Sequence, residues 1–167
     1  SLTPFNSDGA ITFEGKKAGS AVDSSTSVWR YSKDEIAGNA TTKLVFSHTG
    51  MASGTVYNDL DEAIAVEKGY YYIIKFDYYM DAYSGTLGAI YNTDIGYKCN
   101  LEVTPEEGTG GVWKTSTTVL KTTGETDKFK FTINPKLDTA VPLYIDNVSI
   151  AQLYDCYEVP EIESVVP

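Results

Sequence analysis

Basic residues are scarce in this 167-residue chain: 13 Lys and Arg stand against 23 Asp and Glu, for a formal net charge of −10. That deficit argues against nucleic acid, whose phosphates need neutralisation by Lys and Arg, and against an anionic membrane surface. No apolar run approaches the ~18–20 residues that cross a bilayer, and the sequence is not expected to carry a signal peptide. The chain is therefore expected to be a mature soluble piece, one module of a larger protein. Cysteine is nearly absent. Cys99 and Cys156 sit in no metal-ligand spacing, and a disulfide in a secreted protein or two buried thiols would give the same sequence.

Catalytic signatures are also missing. The single histidine, His48, stands in SHTGMASG, where no Gly-x-Ser-x-Gly elbow accompanies it. Neither cysteine has the basic setting that marks a nucleophile. GTGG at 108–111 lacks the helix and lysine of a phosphate loop. Glycosidases need two carboxylates flanking the cleaved bond, and none of the acids here sits at a strand end with an environment that would raise its pKa. The chain is read as a protein without catalysis. No segment sustains a helical period beyond one turn at Asn58–Val66.

What is present is tyrosine in strands. GYYYIIKFDYYMDAY, from Gly69 to Tyr83, holds six of the 13 tyrosines. Side chains alternate across a strand with period two. Tyr72, Ile74, Phe76, Tyr78 and Met80 therefore form an apolar face. Tyr71, Ile73, Lys75, Asp77 and Tyr79 form a mixed face of the kind that grips something flat and polar. Other strands are expected at Ile11–Glu14, Ser27–Tyr31, Lys43–Ser47, Thr55–Tyr57, Leu87–Tyr91, Tyr97–Val103, Val112–Leu120, Lys128–Ile133 and Val141–Leu153. In the last of these, Leu143, Ile145, Val148 and Ile150 are core candidates, and their phase shift predicts a bulge at Asp146–Asn147. About ten short strands separated by turns predict an all-β fold, a β-sandwich or jelly roll of two antiparallel sheets spanning residues 1–153. No Lys or Arg follows Lys136, and residues 154–167 have the acidic, proline-containing composition of a linker or tail.

The order of several short motifs resembles the jelly-roll carbohydrate-binding modules, the broad group of families four, nine, sixteen and twenty-two. These motifs are Phe13-Glu14-Gly15, Trp29, Lys43 to Val45, the Gly69/Tyr72/Ile74/Phe76 pattern, Gly111 to Lys114, and the ending Leu143 to Ile150. The resemblance covers roughly residues 10–153. It implies noncatalytic binding of a polysaccharide chain, a glucan, starch or plant cell-wall glycan, by a secreted or cell-surface protein that takes part in glycan degradation or adhesion. In that group one structural calcium ion often ties the first strand to the last. The resemblance places it at Glu14 and Asp146; Asn6 and Asp8 could add oxygens, and the open alternative is that Glu14 and Asp146 are solvated edge residues or hydrogen-bond partners in loops.

A sugar ring has an apolar C–H face edged by hydroxyls, so an aromatic platform with nearby carboxylates, amides or ammonium groups suits it. The candidate contacts are Trp29, Tyr71, Lys75, Asp77, Tyr79, Tyr83, Tyr91, Asn92 and Tyr97, while Trp113 reads as a packing residue. The expected partners are a polysaccharide and flanking domains, with the protein itself a monomer. Two other readings remain open: a structural or adhesive sandwich of a cell-surface or phage tail protein, whose tyrosines only pack, and a small glycan hydrolase or lyase on the same fold.

Overall fold

The computed structural model describes residues 2–4, 13–22, 28–51, 54–57, 66–126 and 129–153. The described residues contain thirteen strands and no helix, as the period-two patterning predicts. The central strand is β6 (Tyr71–Met80), the tyrosine stretch itself. It lies between β10 (Lys114–Lys121) and β13 (Leu143–Leu153), and β3 (Lys43–Phe46) and β2 (Trp29–Ser32) continue the sheet beyond β13. β1 (Leu2–Pro4) pairs with the far end of β13, through Leu153 to Ala151. All the pairings in this six-stranded sheet are antiparallel.

A second antiparallel sheet runs β5 (Gly54–Tyr57), β11 (Lys130–Ile133), β8 (Ile90–Asn92), β9 (Tyr97–Cys99). A three-stranded patch, β4 (Gly50–Met51), β12 (Lys136–Leu137) and β7 (Gly85–Thr86), joins the ends of several loops. The sequence reading of two sheets holds for the main layers and misses this patch, whose two-residue strands are too short to show alternation.

The strand expected at Ile11–Glu14 is not the one that meets the last strand. Residues 11 and 12 lie outside the described residues, and Phe13 adopts φ 59° and leads into a turn at Glu14 and Gly15. The pairing with β13 belongs to β1 instead.

The apolar face of β6 is wholly internal: Tyr72, Ile74, Phe76, Tyr78 and Met80 expose 2% or less of their surface. Burying one such side chain contributes about 1.5–3 kcal/mol, so this one strand is a large share of the hydrophobic drive. Phe76 meets Phe131 of the smaller sheet edge-on, with centroids 5.3 Å apart, and Phe131 in turn meets Phe129 at 5.0 Å. These rings are the seam between the layers. The predicted core of β13 holds, with Leu143, Ile145, Val148 and Ile150 all buried. So does the bulge: the register against β6 shifts between Asp146 and Ser149, and Asn147 takes φ 55°. That conformation is one Asn tolerates better than most side chains.

The loop TPEEGTGG is pinned to the end of β6. Thr109 N donates to Met80 O at 2.8 Å, and Met80 N donates to Thr109 Oγ1 at 3.2 Å. The close approach requires glycine at 108, where φ is 58° and a Cβ would fall 2.0 Å from Met80 O and 2.5 Å from the carbonyl carbon of Asp81. The strand end that carries Tyr79 is thereby fixed.

Candidate functional site

The outward face of the larger sheet is built by register. Tyr79 pairs with Tyr144 of β13, and residues directly opposite in an antiparallel pair stand side by side on one face. Tyr144 alternates with buried Leu143 and Ile145, so it faces out with Tyr79. Trp113 leads into β10, and its ring lies against that of Tyr79 with centroids 5.8 Å apart and planes tilted by 45°. Its Nε1 donates to Ile36 O at 2.8 Å, which ties the indole to the loop of residues 33–42. Tyr79, Tyr144 and Trp113 are all half-buried. The result is a notch of three aromatic side chains at one end of the sheet.

Carboxylates edge that notch. Tyr79 Oη donates to Asp81 Oδ1 at 3.0 Å. Burial pushes the Tyr79 phenol above its ordinary value, and Asp81 adds to the shift. Burial also raises Tyr144, with Asp34 and Asp81 adding to it. Both phenols therefore stay neutral at physiological pH as hydrogen-bond donors. Further along β6, Asp77 accepts from Thr115 Oγ1 at 2.6 Å and from Asn147 Nδ2 at 2.9 Å. Both its oxygens are held in place by neighbours on β10 and β13, and Lys75 beyond it is exposed.

Tyr71, Lys75, Asp77 and Tyr79 thus share one face, as expected. They are not one platform, however, because Tyr71 and Tyr79 are eight residues apart, about 27 Å along a strand. Tyr71 is half-buried, and the Lys121 ammonium lies 6.0 Å from the centre of its ring. Tyr83 is half-buried beside the loop, where its N donates to Pro105 O at 2.8 Å; burial raises its phenol, and Glu106 adds to the shift.

Four predicted contacts are placed elsewhere. Trp29 exposes 0% of its surface and packs edge-on against Phe46 at 5.3 Å. Trp29 and Tyr31 point inward while Arg30 of the same strand points out, so Trp29 is a core residue and no platform. Tyr97 exposes 2% and sits among Phe129 and Phe131 between the sheets. Asn92 exposes 1%, and its Oδ1 accepts Asp94 N at 3.0 Å, forming the turn into β9. Tyr91 is half-buried on the outward side of the smaller sheet, where Asn134 Nδ2 donates to its hydroxyl at 2.5 Å. It cannot join a site with Tyr79. Two contributors were missed: Trp113, taken for packing, and Tyr144, whose alternation with Leu143 and Ile145 was the available signal.

A second recess lies at the open edge between β9 and β10, lined by Tyr78, Lys98, Cys99, Glu102 and Ser116 among others. It offers hydroxyls, but its one ring, Tyr78, is a core side chain whose hydroxyl accepts Glu102 N at 2.8 Å. Cys99 is a free, buried thiol with Sγ 2.8 Å from Ser116 Oγ, and Cys156 lies outside the described residues.

Glu14 and Asp146 are brought to one region, where each accepts from the 33–42 loop. Glu14 Oε1 accepts Thr42 N at 3.0 Å. Asp146 Oδ2 accepts Thr41 Oγ1 and Asn39 Nδ2, each at 2.9 Å. Asn6 and Asp8 lie outside the described residues. Among the described residues no group of three or more His, Cys, Asp and Glu side chains is placed to hold a metal ion, and none forms a helix long and apolar enough to cross a membrane.

The architecture is that of an antiparallel β-sandwich, and solved structures with a similar course of chain exist. A family 16 carbohydrate-binding module aligns at TM-score 0.45 and 16% identity, over 74% of this chain and 84% of its own. A CBM61 module, solved with β-1,4-galactotriose, aligns at TM-score 0.45 and 14% identity, over 75% and 83%. The cleaved adhesin domain of Lys-gingipain from Porphyromonas gingivalis W83 aligns at TM-score 0.43 and 15% identity, over 84% and 88%. Likeness this distant assigns no residue of the notch. No family model and no curated protein matches the sequence.

Proposed function

We propose that this domain is a noncatalytic carbohydrate-binding module that seats a polysaccharide chain in the notch of Tyr79, Trp113 and Tyr144. The observation that carries the reading is the Tyr79–Trp113 ring contact at the outward end of the larger sheet, with Tyr144 paired beside it. Flat rings supply the apolar surface for sugar C–H groups. The carboxylates of Asp81 and Asp34 and the exposed Lys75 supply hydrogen-bond partners for hydroxyls. Contiguous, half-buried aromatic surface that still reaches solvent serves a partner more often than it serves stability. The acidic charge suits a neutral glycan better than an anionic one, so glucans, starch, xylan and mannan are favoured over pectin. With two or three rings stacking, affinity falls in the micromolar to millimolar range. The setting is an extracellular one, with the domain monomeric and joined to others in a longer chain.

Affinity electrophoresis tests this. Native gels cast with starch, pullulan, xylan, mixed-linkage β-glucan, mannan or pectin should retard the protein in one or two cases without degradation of the glycan. Trp113→Ala, folded by its far-ultraviolet circular dichroism, should restore free migration. Free migration of the wild-type protein in every gel, or retardation unchanged by Trp113→Ala, would overturn the proposal.

A further inference from the structure

Lys43 is an anomaly of the larger sheet. It exposes 0% of its surface, whereas lysine is almost never fully buried unless paired. Leu44 and Phe46 of β3 point into the core, so Lys43 lies on the opposite side of the strand from Leu44, and the loop of residues 33–42 folds back over it. Its Nζ donates to Asp34 O at 2.7 Å and to Thr41 O at 2.5 Å, at the two ends of that loop. Burial pushes its pKa below the ordinary lysine value, and Asp146, Asp34 and Glu14 oppose that, Asp146 most strongly.

The acids expected to hold calcium, Glu14 and Asp146, are thus among the acids around this ammonium, and both Asp146 oxygens and Glu14 Oε1 are already engaged. Asp146 exposes 1%. Its Oδ2 takes Asn39 and Thr41, and its Oδ1 takes Asn147 N at 2.8 Å. Asn39 Oδ1 in turn accepts Thr41 N at 2.8 Å. Calcium wants six to eight oxygens at about 2.3–2.6 Å. Here Nζ takes two loop carbonyls, Asp34 O and Thr41 O, and a divalent ion beside a buried ammonium would meet a like charge. The residues do not fit the metal.

We propose that the Lys43 ammonium is the domain's own internal cation, fastening the 33–42 loop to β3 and β13 in the position where the resemblance implied calcium, and that the fold is calcium-independent. The same loop holds Trp113 through Ile36 O, so the lysine also steadies one wall of the aromatic notch.

Thermal melts of the wild-type protein in EDTA and in millimolar calcium chloride should have the same midpoint, since only a ligand that binds the native state raises it. Calorimetric titration with calcium should give no binding heat. A midpoint several degrees higher in calcium, or a saturable one-site heat, would overturn the proposal; neither measurement needs a variant. Lys43→Met should melt about 10 °C lower, because removing one partner strands a buried charge. Adding Asp146→Asn to that variant should raise the midpoint again, because the stranded charge goes too. A Lys43→Met protein that melts like the wild type, or a double variant no better than the single, would show that the ammonium is not the cation of this site.

Discussion

The larger sheet turns Tyr71, Ile73, Lys75, Asp77 and Tyr79 outward along one strand; the smaller sheet turns Tyr91, Lys98 and Lys130 outward across three. Both faces mix aromatics with charge, and they differ in what surrounds the rings. On the smaller sheet polar groups pair with neighbours in the surface: Tyr91 with Asn134, and Lys130 with Asp94 at 3.0 Å. On the larger sheet the long strands β6 and β13 run side by side, so Tyr79 and Tyr144 arrive together, and two loops bring Trp113 and Asp81 to them. A recognition surface arises here because strand pairing and loop anchoring bring several rings to one spot, which composition alone does not reveal.

The comparison breaks at its root if the shared core is removed. Phe76→Ala takes away the ring that meets Phe131 and should cost about 3–5 kcal/mol in denaturant unfolding, with both faces lost together. A loss below about 1 kcal/mol would mean that the layers are held elsewhere. High pH should act on the same core. Burial raises the phenols of Tyr78 and Tyr97 above their ordinary value of 10.0. The folded state therefore keeps protons that the unfolded chain gives up, and stability is whole below pH 10 and falls as pH rises beyond it. Phenolate absorbance should show these two tyrosines titrating only as the protein unfolds. Their titration with the native fold intact would place them at the surface.

A finer cut separates the two ends of the recognition face. Gly108→Ala drives a Cβ into the backbone at Met80 and Asp81 and should cost about 2 kcal/mol or more. It should weaken glycan retention more than its loss of stability alone accounts for, because the Tyr79 end of β6 shifts. Tyr79→Ala should weaken binding about tenfold, or 1.4 kcal/mol, while Tyr91→Ala leaves it unchanged; equal losses from the two would erase the distinction between the faces. The smallest effect is expected from Lys130→Ala, about 0.5 kcal/mol of stability, with no change in glycan retention in the same gels.

Much of this was legible in the sequence wherever one strand carried the whole signal. The faces of β6 followed from alternation, and the bulge in β13 followed from the misfit between Ile145 and Val148. The inward set of Phe129, Phe131 and Ile133 was equally plain. Trp29 was misplaced because Val28 and Arg30 against Trp29 and Tyr31 can be read either way until the sheet supplies an inside. Asn92 and Tyr97 were grouped with Tyr71 and Tyr79 by closeness in sequence, whereas strand pairing put them in the other layer. Trp113 and Tyr144 meet Tyr79 only through pairings between segments 34 and 65 residues from it in the chain. The burial of Lys43 left no signal in the sequence because it comes from a loop folding back over it.

The bulge in β13 has a further consequence for how this chain can change over generations. The strand reads in two frames. Before Asp146 one frame sends Tyr144 outward and Leu143 and Ile145 inward; after Asn147 the other sends Val148 and Ile150 inward. A codon lost at this point would remove the extra residue and leave one continuous alternation against β6, whereas a codon lost elsewhere in β13 would turn the side chains between it and the bulge to the wrong face at once. Single replacements along β13 can be absorbed one at a time, but a change in its length by one residue away from the bulge cannot. Variants that persist should therefore keep the count of the strand everywhere except at the bulge itself.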